Sequence, residues 1–242
     1  LGCYYLTQNP RKNAPVPERL PLFADIAEVE FALAENKLGI ADRIRFVNPD
    51  YGKQTYFGNP DVKILETTPG RVIFNSIWPE GMGFFNKTAS KKQLSEIIWR
   101  CYQVGGQAKT VEILDKLKEL GFTWATKAGI SIGITDMIIP KEKQTELERA
   151  YKEIAVVEKQ YRSGIITDGE RYNKVIDIWT HAGEQISNVM FRTLEHNEGR
   201  KELNPVYVMV DSGARGNRQQ VKQLAGMRGL MAKPSGEIIE QP

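Results

Sequence analysis

KEKQTELERAYKEIAVVEKQYRSGIITDGERYNKVIDIWTHAGEQISNVMFRTLEHNE, residues 141–198, carries the clearest periodicity in the chain. Leu147, Ala150, Ile154, Val157 and Tyr161 recur at alternating steps of three and four, and Tyr172, Val175, Trp179, Ala182, Ile186 and Val189 repeat the pattern. Two heptad seams joined by the turn-forming SGIITDG predict helices over Lys141–Ser163 and about Thr167–Glu195, folded as an antiparallel coiled-coil hairpin with Trp179 in the seam. The first arm would be about 34 Å long at 1.5 Å per residue. Eleven Lys/Arg and eleven Asp/Glu over residues 141–201 leave the outer faces solvated and nearly neutral. Such a projection has little core of its own, so it is either a spacer or a handle that partners grip. At its tip Ile165, Ile166 and Asp168 offer an apolar pair beside an acid as a contact surface, or serve only as turn chemistry capping the seam.

Upstream, Asn9-Pro10, Pro15, Pro17 and Pro21 predict an irregular start. A helix is expected over about Leu22–Asn36 and strands over Arg43–Val47 and Val62–Leu65, the second closed by Thr67-Thr68-Pro69-Gly70. RVIFNSIW (71–78) is too short for periodicity to separate helix from strand. Ser90 is a candidate N-cap for a helix whose face is Leu94, Ile97, Ile98, Cys101 and Tyr102, stopped at Gly105-Gly106. A second helix over about Thr110–Leu120, with Gly121 as its C′ residue, completes an αα-hairpin. Ile130, Ile132 and Ile134 alternate with small residues and predict an extended segment up to Pro140. The fold class is therefore α+β and mostly helical: a mixed first part, a coiled-coil hairpin, then a Gly-rich basic loop.

Downstream, VYVMV (206–210) reads as a buried strand or the start of a helix. Between Asp211 and Lys233, five cations (Arg215, Arg218, Lys222, Arg228 and Lys233) face one acid, with Gly213, Gly216, Gly226 and Gly229 interleaved. Glycines beside cations let backbone and guanidinium approach a polyanion closely; the alternative is a solvated loop in which Arg215 pairs with Asp211. If residues 217–226 are helical, Arg218 and Lys222 share a face, and Arg215 sits before them in the loop.

The 242 residues, 41% hydrophobic and 26% charged, suffice for a buried core, and a net charge of +3 does not by itself declare a nucleic-acid binder. No stretch approaches about 18 uncharged apolar residues. Two cysteines, Cys3 and Cys101, cannot build a disulfide framework or a Cys-rich zinc site, which points to a reducing, cytoplasmic compartment. The P-loop, G-x-G-x-x-G, H-E-x-x-H and G-x-S-x-G templates are absent. His181 and His196 read as surface residues, and the four tryptophans, 78, 99, 124 and 179, as core or seam. The chain opens without Met and stops at EIIEQP, which reads as a section of a longer polypeptide.

Four stretches go further. DSGARGN…VKQLAGMRGLMAKPSGEIIE resembles the run into and including the F-loop of the largest (β′) subunit of bacterial multisubunit RNA polymerase. ITDGERYNKVIDIWTHA resembles that family's secondary-channel rim helices; ETTPGRVIFNSIWPEG and FTWATKAGISIGITDMIIP resemble its pore region. The resemblance implies a pore region over 1–139, a funnel with the rim coiled coil over 140–204, and an active-centre segment over 205–242. It places Arg215 on the family's substrate-phosphate arginine. Lys222 falls where bacterial members usually carry a second arginine, which keeps the charge and loses the bidentate fork. Met227, Arg228, Gly229 and Lys233 fall in the F-loop, and the hairpin tip falls where cleavage factors dock. The implied activity is DNA-templated RNA synthesis from nucleoside triphosphates. The implied partners are the α, β, ω and σ subunits, template DNA and the RNA 3′ end. The family's Asn-Ala-Asp-Phe-Asp-Gly-Asp magnesium loop and its zinc cysteines do not occur in the sequence. Mg2+ and Zn2+ would thus be held by ligands outside this chain, which alone would be inactive. A reading of another class is a non-catalytic transcription regulator with a coiled-coil finger.

Overall fold

A computed structural model of the chain describes residues 1–10, 19–196 and 203–240, without the side chain of His196. Pro15 and Pro17 lie outside the described residues. The start is more regular than its prolines suggest, because Gly2–Thr7 form helix α1. The helix expected from Leu22 divides: Leu22–Phe23 pair as strand β1, and α2 covers Ile26–Ala34 behind an Asp25 N-cap that accepts the Glu28 N–H. β1 runs parallel to β2 (Ile44–Val47), and β2 runs antiparallel to β3 (Ile64–Thr67), with Phe46 opposite Leu65. RVIFNSIW resolves as helix, α3 over Pro69–Asn75, because Thr68 caps it and Pro69 occupies its first turn.

Helix α4, Lys91–Ala128, starts at Ser90 and bends at Gly106, whose φ of 69° belongs to the left-handed region. The bend returns the chain on itself. Ile97 and Cys101 before the bend share one buried cluster with Ile113 after it, and the Thr110 hydroxyl donates to the Gly106 carbonyl at 2.7 Å. Gly121 does not end this helix; Gly129, in the left-handed conformation, does. Gly121 instead receives α1, for a Cβ on Gly2 would collide with its carbonyl oxygen. The alternating isoleucines before Pro140 form no strand, since nothing pairs with them among the described residues; Ile134–Asp136 make a 3-10 turn. Trp99, expected in the core, is exposed and stacks on Tyr102.

The hairpin forms as the seams predict. Helix α5 (Glu142–Arg162) packs on α6 (Asp168–His196), with Ala150, Val157, Val175, Trp179, Ala182 and Ile186 buried between them. Trp179 is 2% exposed and meets Tyr151 edge-on at 5.1 Å. Tyr161 departs from the seam; it is 40% exposed, with the Arg171 guanidinium over its ring. α6 opens on a reciprocal cap in which the Thr167 hydroxyl accepts the Glu170 N–H and the Glu170 carboxylate accepts the Thr167 N–H. Helices α7 (Pro205–Asp211) and α8 (Arg218–Val221) and a π turn over Lys222–Gly226 complete the chain's helical elements.

The chain forms two compact units, one of residues 1–131 with 211–215, the other of residues 132–210 with 216–242. The first has a core of Leu6, Ile73, Phe74, Met82, Ile97 and Ile113, with a second cluster, including Val29, Ile44 and Phe84, at the sheet. In the other unit the α5/α6 seam adjoins a cluster of Met190, Phe191, Leu194, Val206, Val221 and Ala225.

Candidate functional site

The basic segment is entered through Asn204, which is fully buried. Its Oδ1 accepts the N–H groups of Val206 and Tyr207, and its Nδ2 donates to the Asp136 carbonyl at 2.8 Å. With Pro205 at the first helical position, this cap makes VYVMV helical despite its β-branched residues. Gly213 and Gly216, with φ of 74° and 78°, turn the chain out of α7. Asn217 and Gln220 restart it with a second reciprocal cap.

Arg215 is exposed in that loop and makes no ion pair or side-chain hydrogen bond among the described residues. Its expected alternative partner is engaged elsewhere: the Tyr4 hydroxyl donates to Asp211 Oδ2 at 2.6 Å. Arg218 and Lys222 lie one turn apart and both reach α6. The Arg218 guanidinium covers the Phe191 ring at 4.2 Å, and a Cβ on Gly183 would stand 3.2 Å from Lys222 Nζ. Met227 is buried on the α5/α6 seam and anchors the start of the segment 227–240. Arg228 is exposed, Gly229 is left-handed at φ 87°, and Lys233 is not a free cation, since its ammonium pairs with Glu237 at 2.8 Å.

At the hairpin tip Ile165 is 71% exposed. Ile166 corrects the expectation of an exposed apolar pair, because it packs against the seam. Asp168 is exposed but engaged, accepting from Arg171 at 3.0 and 3.1 Å. Arg171 also grips Glu240 with both terminal guanidinium nitrogens, at 2.6 and 2.9 Å, and reaches Glu158 at 3.3 Å. These hydrogen bonds push its pKa further above the ordinary arginine value and hold the Glu240 carboxyl below the usual range. Beside it, the Tyr172 hydroxyl donates to the Ile238 carbonyl at 3.1 Å and accepts the Ile238 N–H at 3.0 Å. The residues are plain in the sequence as Thr-Asp-Gly-Glu-Arg-Tyr, yet their partners stand 66 and 69 residues downstream, beyond any spacing rule.

Among the described residues no nucleophile or metal centre emerges from the rest. Cys3 and Cys101 are buried, which pushes both thiols up and away from the reactive thiolate. No three His, Cys, Asp or Glu side chains come together as a metal site among the described residues. His181 is exposed beside Gln185. No helix among the described residues is long and apolar enough to cross a membrane.

Comparisons with known proteins match the chain over its whole length. Residues 1–137 match RNA polymerase Rpb1, domain 3, and residues 166–241 match RNA polymerase Rpb1, domain 4; the chain belongs to the family of the largest RNA polymerase subunit. Its bacterial relatives are DNA-directed RNA polymerase β′ subunits. The chain is 63% identical to that of Methylacidiphilum infernorum, 55% to that of Opitutus terrae and 46% to that of Aquifex pyrophilus, in each case over its full length. It spans 18% of the first two relatives and 15% of the third, and so corresponds to a section of that subunit.

Proposed function

We propose that the chain forms the nucleotide-entry section of a DNA-directed RNA polymerase, with residues 1–139 as pore, 140–204 as funnel and rim, and 205–242 as the substrate-facing segment. Family membership favours this over the coiled-coil regulator. The observation that carries it is Arg215, exposed in a glycine-flanked loop with its acidic neighbour Asp211 already bonded to Tyr4. An unpaired guanidinium on a pliable backbone suits a triphosphate, whose charge shifts during nucleotidyl transfer; fixed cations aimed at that charge lower the barrier. Lys222 is the other cation that the resemblance singles out on this segment, seated against α6. Mg2+ stabilises the attacking and leaving oxygens in such transfers; in the complete enzyme it and Zn2+ would be held by ligands outside this chain. Within that enzyme the partners would be the other subunits, template DNA, the RNA 3′ end and, at the exposed tip residue Ile165, cleavage factors.

Nucleotide addition by assembled polymerase carrying Arg215→Ala tests the reading. A charge-assisted contact is worth about 1.5–3 kcal/mol, so the rate or the apparent substrate affinity should fall roughly ten- to a hundredfold. Wild-type behaviour at both limiting and saturating triphosphate would remove Arg215 from the active centre.

A further inference from the structure

We infer that Arg171 and Tyr172 are positioning residues for nucleotide addition: together they clasp the segment 227–240 to the base of the hairpin tip and set its orientation. The inference rests on the reading that this segment lines the substrate path.

The segment has two points of attachment. At its start Met227 is buried on the seam and Leu230 packs beside it. Beyond that, residues 231–237 are all exposed. Their regularity is internal: Ala232 bridges Ile238, the Lys233 N–H donates to the Glu237 carbonyl, and the Ile239 N–H donates to the Met231 carbonyl. These bonds shape a small loop without saying where it points. Orientation comes from its far end, where Ile238 and Glu240 meet α6.

Two features make that end a clasp rather than a chance surface contact. Tyr172 takes both backbone groups of Ile238, donor and acceptor, so a shift of the segment by a single residue would lose both bonds. The Arg171–Glu240 pair is bidentate, and the Arg171 side chain is only 14% exposed, which shields it from the screening that weakens ordinary surface pairs. Three carboxylates, Asp168, Glu158 and Glu240, surround this one guanidinium, so two negative charges are left over and the fork is contested. Such a pairing holds the segment in one place and is open to adjustment from the tip.

Tyr172→Phe is the informative variant, because it removes the hydroxyl and keeps the ring; Glu240→Gln weakens the other half at nearly constant shape. Both are built into assembled polymerase. Two quantities are read: hydrogen exchange of the peptide covering 231–240, and the single-turnover rate of nucleotide addition per active molecule at saturating triphosphate. Each variant should exchange faster across 231–240 and add nucleotide roughly three- to tenfold more slowly, the worth of one to two ordinary hydrogen bonds. A purely structural role would lower the yield of active enzyme and leave the rate per active molecule unchanged. Unchanged exchange would overturn the clasp. Faster exchange with a wild-type rate would overturn its positioning role. In that case Arg215→Ala in the same preparation shows separately whether the substrate-path reading stands.

Discussion

Replacing Arg71 should unfold the first unit far more readily than an arginine-to-alanine change usually does. The residue is 6% exposed, and its guanidinium meets no carboxylate among its hydrogen-bond partners. Nε donates to the Thr7 carbonyl at 3.2 Å, one terminal nitrogen to the carbonyl and side-chain oxygens of Asn86, and the other to Asn9 Oδ1 at 2.9 Å. One guanidinium thus ties the end of α1, the start of α3 and the loop before α4. Burial pushes its pKa below the ordinary arginine value, the mark of a charge retained at a cost. Arg71→Ala strands acceptors on three residues at about 1 kcal/mol or more each, and relief from burying the charge returns part of that. The balance is about 2–3 kcal/mol. With a urea slope of about 1–3 kcal/mol/M, the midpoint should drop by about 1–2 M. Trp78 and Trp124, which pack against the first core, report it by fluorescence. Arg71→Lys should fall between, because one ammonium keeps the charge but cannot span Thr7, Asn9 and Asn86. An unchanged midpoint for Arg71→Ala would refute the reasoning, since the bonds would then only offset the cost of burying the charge.

Gly70→Ala should also destabilise this unit, by about 1–3 kcal/mol or more in the same titration, because its new Cβ would meet the Leu6 carbonyl and stand 2.8 Å from Ile40 Cγ2; a wild-type midpoint would mean that α1 can move aside cheaply. Ile165→Ala in assembled polymerase should weaken a rim-binding cleavage factor by up to about fiftyfold, from three carbons lost from a buried contact at about 0.8 kcal/mol each. It leaves the Arg171 bonds alone, so unaltered factor affinity would exclude the tip as a docking point.

What could be read from the chain was what is local. The two seams announce themselves because a heptad repeat samples one helix face many times over. RVIFNSIW is ambiguous for the opposite reason: seven residues of helix give too few turns, and Thr68 and Pro69, taken as the end of a strand, are the start of a helix. Gly121 looks like a stop and is instead a place where α1 comes close. The alternation at Ile130, Ile132 and Ile134 is a strand pattern without a partner. At the site, the cations are visible as residue types. That Arg215 lacks an ion pair depends on Tyr4 taking Asp211 from 207 positions away, which no local pattern encodes.

That separation bears on how the chain acquires its structure. The hairpin is made of neighbours in sequence: α5 and α6 close around a five-residue connection, and little loop entropy opposes them. Synthesis from the N-terminus therefore lets the hairpin form while the first unit is still incomplete, since residues 211–215 of that unit emerge only afterwards. Until Asp211 is available, the Tyr4 hydroxyl lacks that acceptor. Helix α1 is thus among the last elements of its unit to be fully tied in.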